Sequence, residues 1–137
     1  MSARFEILEH TSDVGLTLQA DTLEEIFQAA GEGLATLQGS WFPGVGEERE
    51  MEVKAVDNPG LLVAWINELL YVQDSENAVF GGFAVNSVSD GSLKSVVKVA
   101  PRAEHELDTV GVKAATHDRL RLERGSRGWT ADLYLDV

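Results

Sequence analysis

The chain lacks cysteine, has only three prolines and three histidines, and carries 11 basic against 23 acidic residues among its 137. Without cysteine, disulfide bonds, thiolate metal sites and cysteine nucleophiles are excluded. No apolar run reaches the roughly 18 residues that a membrane-spanning helix needs, and the N-terminus lacks the apolar segment of a signal peptide. We therefore expect a cytoplasmic protein that does not associate with a membrane.

The net charge of −12 is concentrated in the first 57 residues, which alone carry −9. Nucleic-acid affinity depends on Lys and Arg side chains that neutralise phosphates, so an acidic surface repels a phosphate backbone. Direct nucleic-acid binding is therefore not expected. A metal cation or a basic protein partner suits the charge, unless the charge serves solubility alone.

The pattern of apolar residues predicts a single α+β domain over residues 1–137, with a mostly antiparallel sheet and two packed helices. Thr22–Glu25 is a capping box that begins a helix ending near Gln38. A second, more apolar helix is expected to begin at Asn58-Pro59, with Asn58 as its N-cap and Pro59 as its first residue. Alternation of apolar and polar residues predicts strands over 5–8, 14–20, 51–56, 79–86, 93–99, 110–123 and 129–137.

His10 and Asp13 lie in the short stretch HTSDVG between the first two predicted strands. Asp13 is a candidate cation ligand, with His10 beside it as a weaker, partner-facing candidate. The alternative is structural, because Asp favours turns where its carboxylate can accept hydrogen bonds from nearby backbone amides.

The C-terminal residues Asp136 and Val137 are the second group of candidates. If Val137 is the natural C-terminus, its carboxylate adds oxygen donors next to the Asp136 side chain. A hard cation such as calcium takes six to eight oxygen ligands, so water or a partner would complete the shell. Alternatively, Asp136 is an exposed carboxylate at a strand edge, since the sequence does not show that the two ends of the chain meet.

Other polar residues carry weaker signals. Asp57 is either a charge at the start of the second helix or part of an acidic docking face. Alternation places Lys113, Ala115 and His117 on one strand face, which Arg119 and Arg121 share, and Arg124 and Arg127 follow at the turn beyond. These four arginines form a basic cluster that either binds RNA or an acidic partner or is simply solvated. The scattered histidines, including His105, do not form a recognised zinc pattern, and no catalytic motif is present.

Five motifs in this order and spacing resemble those of the archease family, and together they cover nearly the whole chain. They are HTSDVG at 10–15, TLEEIFQAAGEGL at 22–34, LLVAWINELLYVQD at 61–74, HELDTVGVKAATHDRL at 105–120 and the ending YLDV. The chain departs from the family pattern at Ser12, where Ala is usual, and around His117, to which no family role is transferred.

The resemblance implies a protein that is not an enzyme but assists an RtcB-type RNA ligase. That ligase joins 2′,3′-cyclic-phosphate or 3′-phosphate RNA ends to 5′-hydroxyl ends in tRNA splicing and RNA repair, and archeases promote its guanylylation and repeated turnover. The resemblance also implies a divalent metal ion, calcium-like in its preference for oxygen, held by Asp13, Asp136 and Val137, with magnesium and manganese as alternatives.

Two other functions fit the same residues. One is a chaperone-like modulator of other RNA-processing enzymes, such as tRNA methyltransferases. The other is a metal-dependent hydrolase that uses His10, Asp13 and Asp136, although the sequence offers no second cluster of metal ligands.

Overall fold

A computed structural model describes residues 3–9, 13–102 and 111–137, and these residues form seven strands and two helices. Their bounds are β1 Arg4–Glu9, β2 Asp13–Ala20, α1 Leu23–Leu37, β3 Glu47–Lys54, α2 Asn58–Glu76, β4 Ala78–Ser89, β5 Ser92–Pro101, β6 Ala114–Gly125 and β7 Gly128–Asp136. The predicted α+β class and its two helices are confirmed.

The strands divide into two sheets. One sheet has the order β1-β2-β7-β6 and the other β3-β5-β4, and every pairing within them is antiparallel. Strands β2 and β7, near the two ends of the sequence, are therefore neighbours in the centre of the four-stranded sheet. Both helices pack against both sheets and share one apolar core with them.

Helix α1 begins at the predicted capping box. The Thr22 hydroxyl oxygen accepts a hydrogen bond from the Glu25 amide at 3.2 Å, which satisfies one of the free N–H groups of the first turn. The Glu25 carboxylate accepts from the Thr22 hydroxyl at 2.8 Å. The helix buries one face, including Ile26, Phe27 and Leu34, against the sheets.

Helix α2 begins one residue earlier than predicted. Asp57, not Asn58, is its N-cap: the backbone of Asp57 is extended, and its carboxylate accepts a hydrogen bond from the Gly60 amide at 2.7 Å. Pro59 then falls in the first turn, where its missing N–H costs nothing. Apolar residues surround most of this helix and are buried, as expected for a central element.

Trp65 on α2 connects the two helices. Its indole Nε1 donates a hydrogen bond to the Phe27 carbonyl of α1 at 2.8 Å, and its ring meets the edge of Phe83 on β4. Because Trp65 is fully buried, this hydrogen bond satisfies a donor that would otherwise have no water partner.

Amide side chains on the helices and at the C-cap of α1 also bind backbone N–H groups of the strands and of the segment that leads into β6. Gln28 accepts from the Val85 amide at 3.0 Å, where β4 departs from regular pairing. Gln38 accepts from the Val112 amide at 3.2 Å, and Asn67 accepts from the Ala115 amide on β6 at 2.8 Å. These bonds satisfy backbone donors outside the regular sheet ladder.

Strand β3 begins at Glu47, four residues before the predicted start. The first half of the strand lies beyond the core, so its inward positions are polar. The alternation of apolar and polar residues that predicts a strand is therefore absent there. Arg49, for example, forms a salt bridge with Glu76 at the end of α2, at 2.6 Å. Among the residues described, neither helix has the length and apolarity needed to span a membrane.

Candidate functional site

Asp13 and Asp136 lie directly opposite each other in the pairing of β2 with β7. Side chains of directly opposed residues in an antiparallel pair project from the same face with their Cβ atoms about 5 Å apart. Asp136 is also opposite Ala114 of β6, so the two carboxylates lie at one end of the four-stranded sheet. The structure thus brings together two of the residues selected from the sequence.

Tyr134 supports this end of the sheet on the same face. It pairs with Gly15 of β2, and a Cβ atom at Gly15 would approach the Tyr134 ring to 2.9 Å. The absence of a side chain at Gly15 therefore lets the ring lie across β2. The guanidinium of Arg119 stacks over this ring, 3.9 Å from its centroid.

A bulge in β6 brings Arg119 to this position. The regular pairing with β7 stops at Thr116 and resumes only at Arg121, so the intervening residues leave the ladder. Arg119 has a φ of 56°, in the left-handed region that residues with a side chain rarely adopt. Thr116 stabilises the bulge by accepting a hydrogen bond from the Asp118 amide at 3.0 Å.

The prediction that Lys113, Ala115 and His117 share one strand face is wrong. Lys113 lies outside the strand and is exposed, as is His117, whereas Ala115 is buried. The three residues therefore do not share one face, because the strand begins only at Ala114 and its alternation is interrupted after Thr116.

Arg119 forms a salt bridge with Asp13 and a second one with Asp118, the latter at 3.0 Å. The hydrogen bond to Asp118, which has the larger effect, and the hydrogen bond to Asp13 both raise the pKa of the Arg119 guanidinium. The Asp13 side chain is only 17 % exposed, whereas that of Arg119 is 47 % exposed. A carboxylate that has lost most of its hydration needs a nearby positive charge, and Arg119 provides it.

The donor groups at this end of the sheet fit a hard divalent cation. Asp13 and Asp136 offer carboxylate oxygens only, and Val137 follows Asp136 directly, packing partly against the core. Within the described residues, no three His, Cys, Asp or Glu side chains converge. The protein would therefore supply an incomplete shell, with a terminal carboxylate, water or a partner providing further oxygens.

Asp57 is a predicted candidate that the structure places away from this pair. Asp57 caps α2 beside the turn between β4 and β5, where the Ala55 amide donates to the Gly91 carbonyl at 2.9 Å. It therefore belongs to the region of the three-stranded sheet. His10 and His105 lie outside the described residues, so their predicted roles stay predictions.

The predicted basic cluster is partly neutralised by carboxylates. Arg121 donates to Asp132 at 2.8 Å and to Glu123 at 3.0 Å, while Arg119 contacts Asp13 and Asp118 as described above. Arg124 and Arg127 are exposed at the turn between β6 and β7. This arrangement favours the solvated alternative over a phosphate-binding surface.

Sequence reasoning missed the association of Arg119 and Tyr134 with Asp13. The period of two does place Tyr134 on the same side as Asp136. No local signal places Arg119, because the bulge that turns it towards Asp13 changes the strand period.

A family model and individual relatives agree on one protein family. The model of the archease protein family matches residues 5–137. A protein archease of Methanosarcina mazei is 30 % identical over 141 residues, covering 98 % of this chain and 96 % of that protein. A protein archease of Pyrococcus furiosus is 33 % identical over 145 residues, covering 98 % and 99 %.

Two solved structures are similar over almost their full length. The solution structure of a Methanobacterium thermoautotrophicum protein has a TM-score of 0.76 at 28 % identity, covering 97 % of this chain and 98 % of that one. A Thermotoga maritima crystal structure, described as "an archease, possible chaperone", has a TM-score of 0.65 at 18 % identity and covers 96 % of each chain. The second likeness bears on the fold alone.

Proposed function

The chain belongs to the archease family, and we propose that it is a non-catalytic, metal-binding cofactor protein of a cytoplasmic RNA ligase. The ligase is of the type that joins 2′,3′-cyclic-phosphate or 3′-phosphate RNA ends to 5′-hydroxyl ends. The proposed effect is faster guanylylation of the ligase and repeated turnover, in tRNA splicing or RNA repair.

The opposition of Asp13 and Asp136 across β2 and β7 is the observation that carries the metal part of this proposal. Two carboxylates at the end of a sheet, one of them mostly shielded from water, form a site that favours positive charge. A divalent cation bound there would supply a concentrated positive charge and open coordination positions at the protein surface.

In this proposal, cation binding and attraction of the ligase depend on different features of the chain. Asp13 and Asp136 hold the cation, together with the Val137 carboxylate if Val137 ends the natural chain. The chain as a whole, with its net charge of −12, attracts a basic region of the ligase. Preferential binding to the guanylylation-competent ligase by about 3 kcal/mol would shift its population by about a hundredfold.

The test measures guanylylation and multiple-turnover joining by the ligase, with and without this protein. Asp13→Asn and Asp136→Asn are expected to lose most of the stimulation. Asp132→Asn is the matched control, because Asp132 lies on the same face of β7 but accepts hydrogen bonds from Thr17 and Arg121 instead. Unchanged ligase turnover with the wild-type protein would overturn the proposal.

A chaperone-like role is the second candidate, because the same fold and the same acidic charge would suit it equally well. It predicts a gain in the yield or solubility of a tRNA methyltransferase or another RNA-processing enzyme on co-incubation, without dependence on Asp13. Phosphatase or nuclease activity of the isolated protein would instead support a hydrolase.

A further inference from the structure

We infer that Arg119 is a built-in counter-ion that competes with the divalent cation for Asp13, and so determines how tightly that cation binds. This inference rests on the proposed cation site and specifies how the chain regulates it. The observation behind it is the salt bridge between the Arg119 guanidinium and Asp13, a residue proposed as a ligand.

Burial explains why Asp13 needs a counter-ion at all times. Its side chain is 17 % exposed, so an unpaired carboxylate at this position would lose much of its hydration without compensation. Arg119 supplies the compensating charge when no cation is bound. A divalent cation supplies it when bound, and the same Asp13 oxygen cannot serve both partners with full strength.

The position of Arg119 is held by several contacts. Its guanidinium stacks on the Tyr134 ring and is bonded to Asp118, and its backbone adopts a φ of 56° in the β6 bulge. Such a backbone conformation is unfavourable for residues other than glycine, so the surrounding contacts must maintain it. Arg119 is thus placed beside Asp13 before a cation arrives.

Displacement of Arg119 does not leave its charge unpaired. Asp118 remains bonded to the guanidinium Nε at 3.0 Å, and the Arg119 side chain is 47 % exposed to water. The cost of releasing Asp13 is therefore moderate, which makes Arg119 a competitor that raises the cation concentration required rather than a permanent block.

The matched control for this inference lies two residues further along the chain. Arg121 is also an arginine of β6 on the same sheet, but it is paired with Asp132 and Glu123. Arg121→Gln therefore removes the same charge from the same strand without touching Asp13.

The experiment is isothermal titration of calcium chloride into the full chain and its variants. Arg119→Gln is expected to raise calcium affinity by roughly three- to tenfold, since it removes a cation bonded to a ligand. Arg119→Lys, which keeps the charge, is expected to bind calcium with an affinity between those of the wild type and Arg119→Gln. Arg121→Gln is expected to match the wild type, and Asp13→Asn to lose binding.

Nuclear magnetic resonance gives a second readout that a merely structural role would not move. Calcium is expected to shift the Nη–Hη signals of Arg119, whose Nη2 donates to Asp13, and to leave the corresponding signals of Arg121 in place. This measures displacement directly and does not depend on ligase activity.

The outcomes separate this inference from the proposed function. If calcium binding requires Asp13 while Arg119→Gln has wild-type affinity and the Arg119 signal stays unmoved, the counter-ion inference is wrong and the cation site stands. If neither the wild type nor Arg119→Gln binds calcium, both the site and the counter-ion inference fail. The ligase assay then decides the cofactor role independently.

Discussion

Asp13 is the direct ladder partner of Asp136, although the two residues lie near opposite ends of the sequence. Their pairing places two carboxylates on one face at the end of the four-stranded sheet, beside an arginine that already neutralises one of them.

Calcium is expected to raise the melting temperature of the wild-type protein. A ligand that binds only the folded state stabilises it by about 2.7 kcal/mol at a hundred times its Kd, which corresponds to several degrees. Asp13→Asn and Asp136→Asn should lose most of this shift, and a chelator should reverse it. Scanning fluorimetry checks this, with Asp132→Asn as control; equal shifts in all four proteins would contradict it.

Asn67→Ala is expected to destabilise the protein by about 1–3 kcal/mol, because the Ala115 amide on β6 loses its hydrogen-bond acceptor. Asn67→Asp keeps an acceptor oxygen and should retain most of the stability. Urea denaturation gives the free energies of unfolding. Asn86→Ala, at an exposed position of β4, is the control, and a similar loss in both alanine variants would argue against the hydrogen bond as the cause.

Gly81→Ala is expected to cost roughly 1–3 kcal/mol or more, since a Cβ atom at this position would overlap the Val45 carbonyl oxygen. The neighbouring Gly82→Ala is expected to change stability by no more than about 0.5 kcal/mol. Its Cβ would meet only the Lys98 side chain, at an ordinary 3.6 Å. Thermal or urea denaturation of the two variants compares a blocked with an open position in one strand; equal costs would count against backbone overlap as the reason.

Glu32→Gln is expected to stabilise the protein at neutral pH. Burial raises the pKa of the Glu32 carboxyl above its ordinary value of 4.5. Because the folded-state pKa is the higher one, protonation of Glu32 stabilises the folded protein. This contribution is fully present below the unfolded-state pKa and is lost as pH rises through the folded-state pKa. The substitution should therefore gain less than about 1 kcal/mol at pH 7, because the group is only partly buried.

Urea denaturation at several pH values checks the direction of this effect. The difference between Glu32→Gln and the wild type should shrink as pH falls below the ordinary pKa, where both side chains are uncharged. Glu68→Gln, at an exposed position in the middle of α2, is the control for removing one negative charge from a helix. A destabilised Glu32→Gln at pH 7 would refute the assignment to burial.

Elements that depend on local interactions could be predicted from the sequence. Thr22 and Glu25 predict the start of α1 because a capping box is formed by residues three apart. Asp90-Gly91 predicts the turn between β4 and β5, and both residues have positive φ, at 52° and 71°. Residue chemistry and then the family resemblance selected Asp13 and Asp136 as candidates, because residue types and motifs are recognised without knowing their positions in space.

How those elements meet depends on contacts between segments that are distant in the sequence. The division of the strands into two sheets and the pairing of β2 with β7 join distant segments, and no local periodicity encodes such partners. The β6 bulge is a further example: by adding unpaired residues between Thr116 and Arg121, it turns Arg119 towards Asp13. Strand alternation is a local rule, whereas the charge that faces a given carboxylate depends on which distant backbone lies beside it.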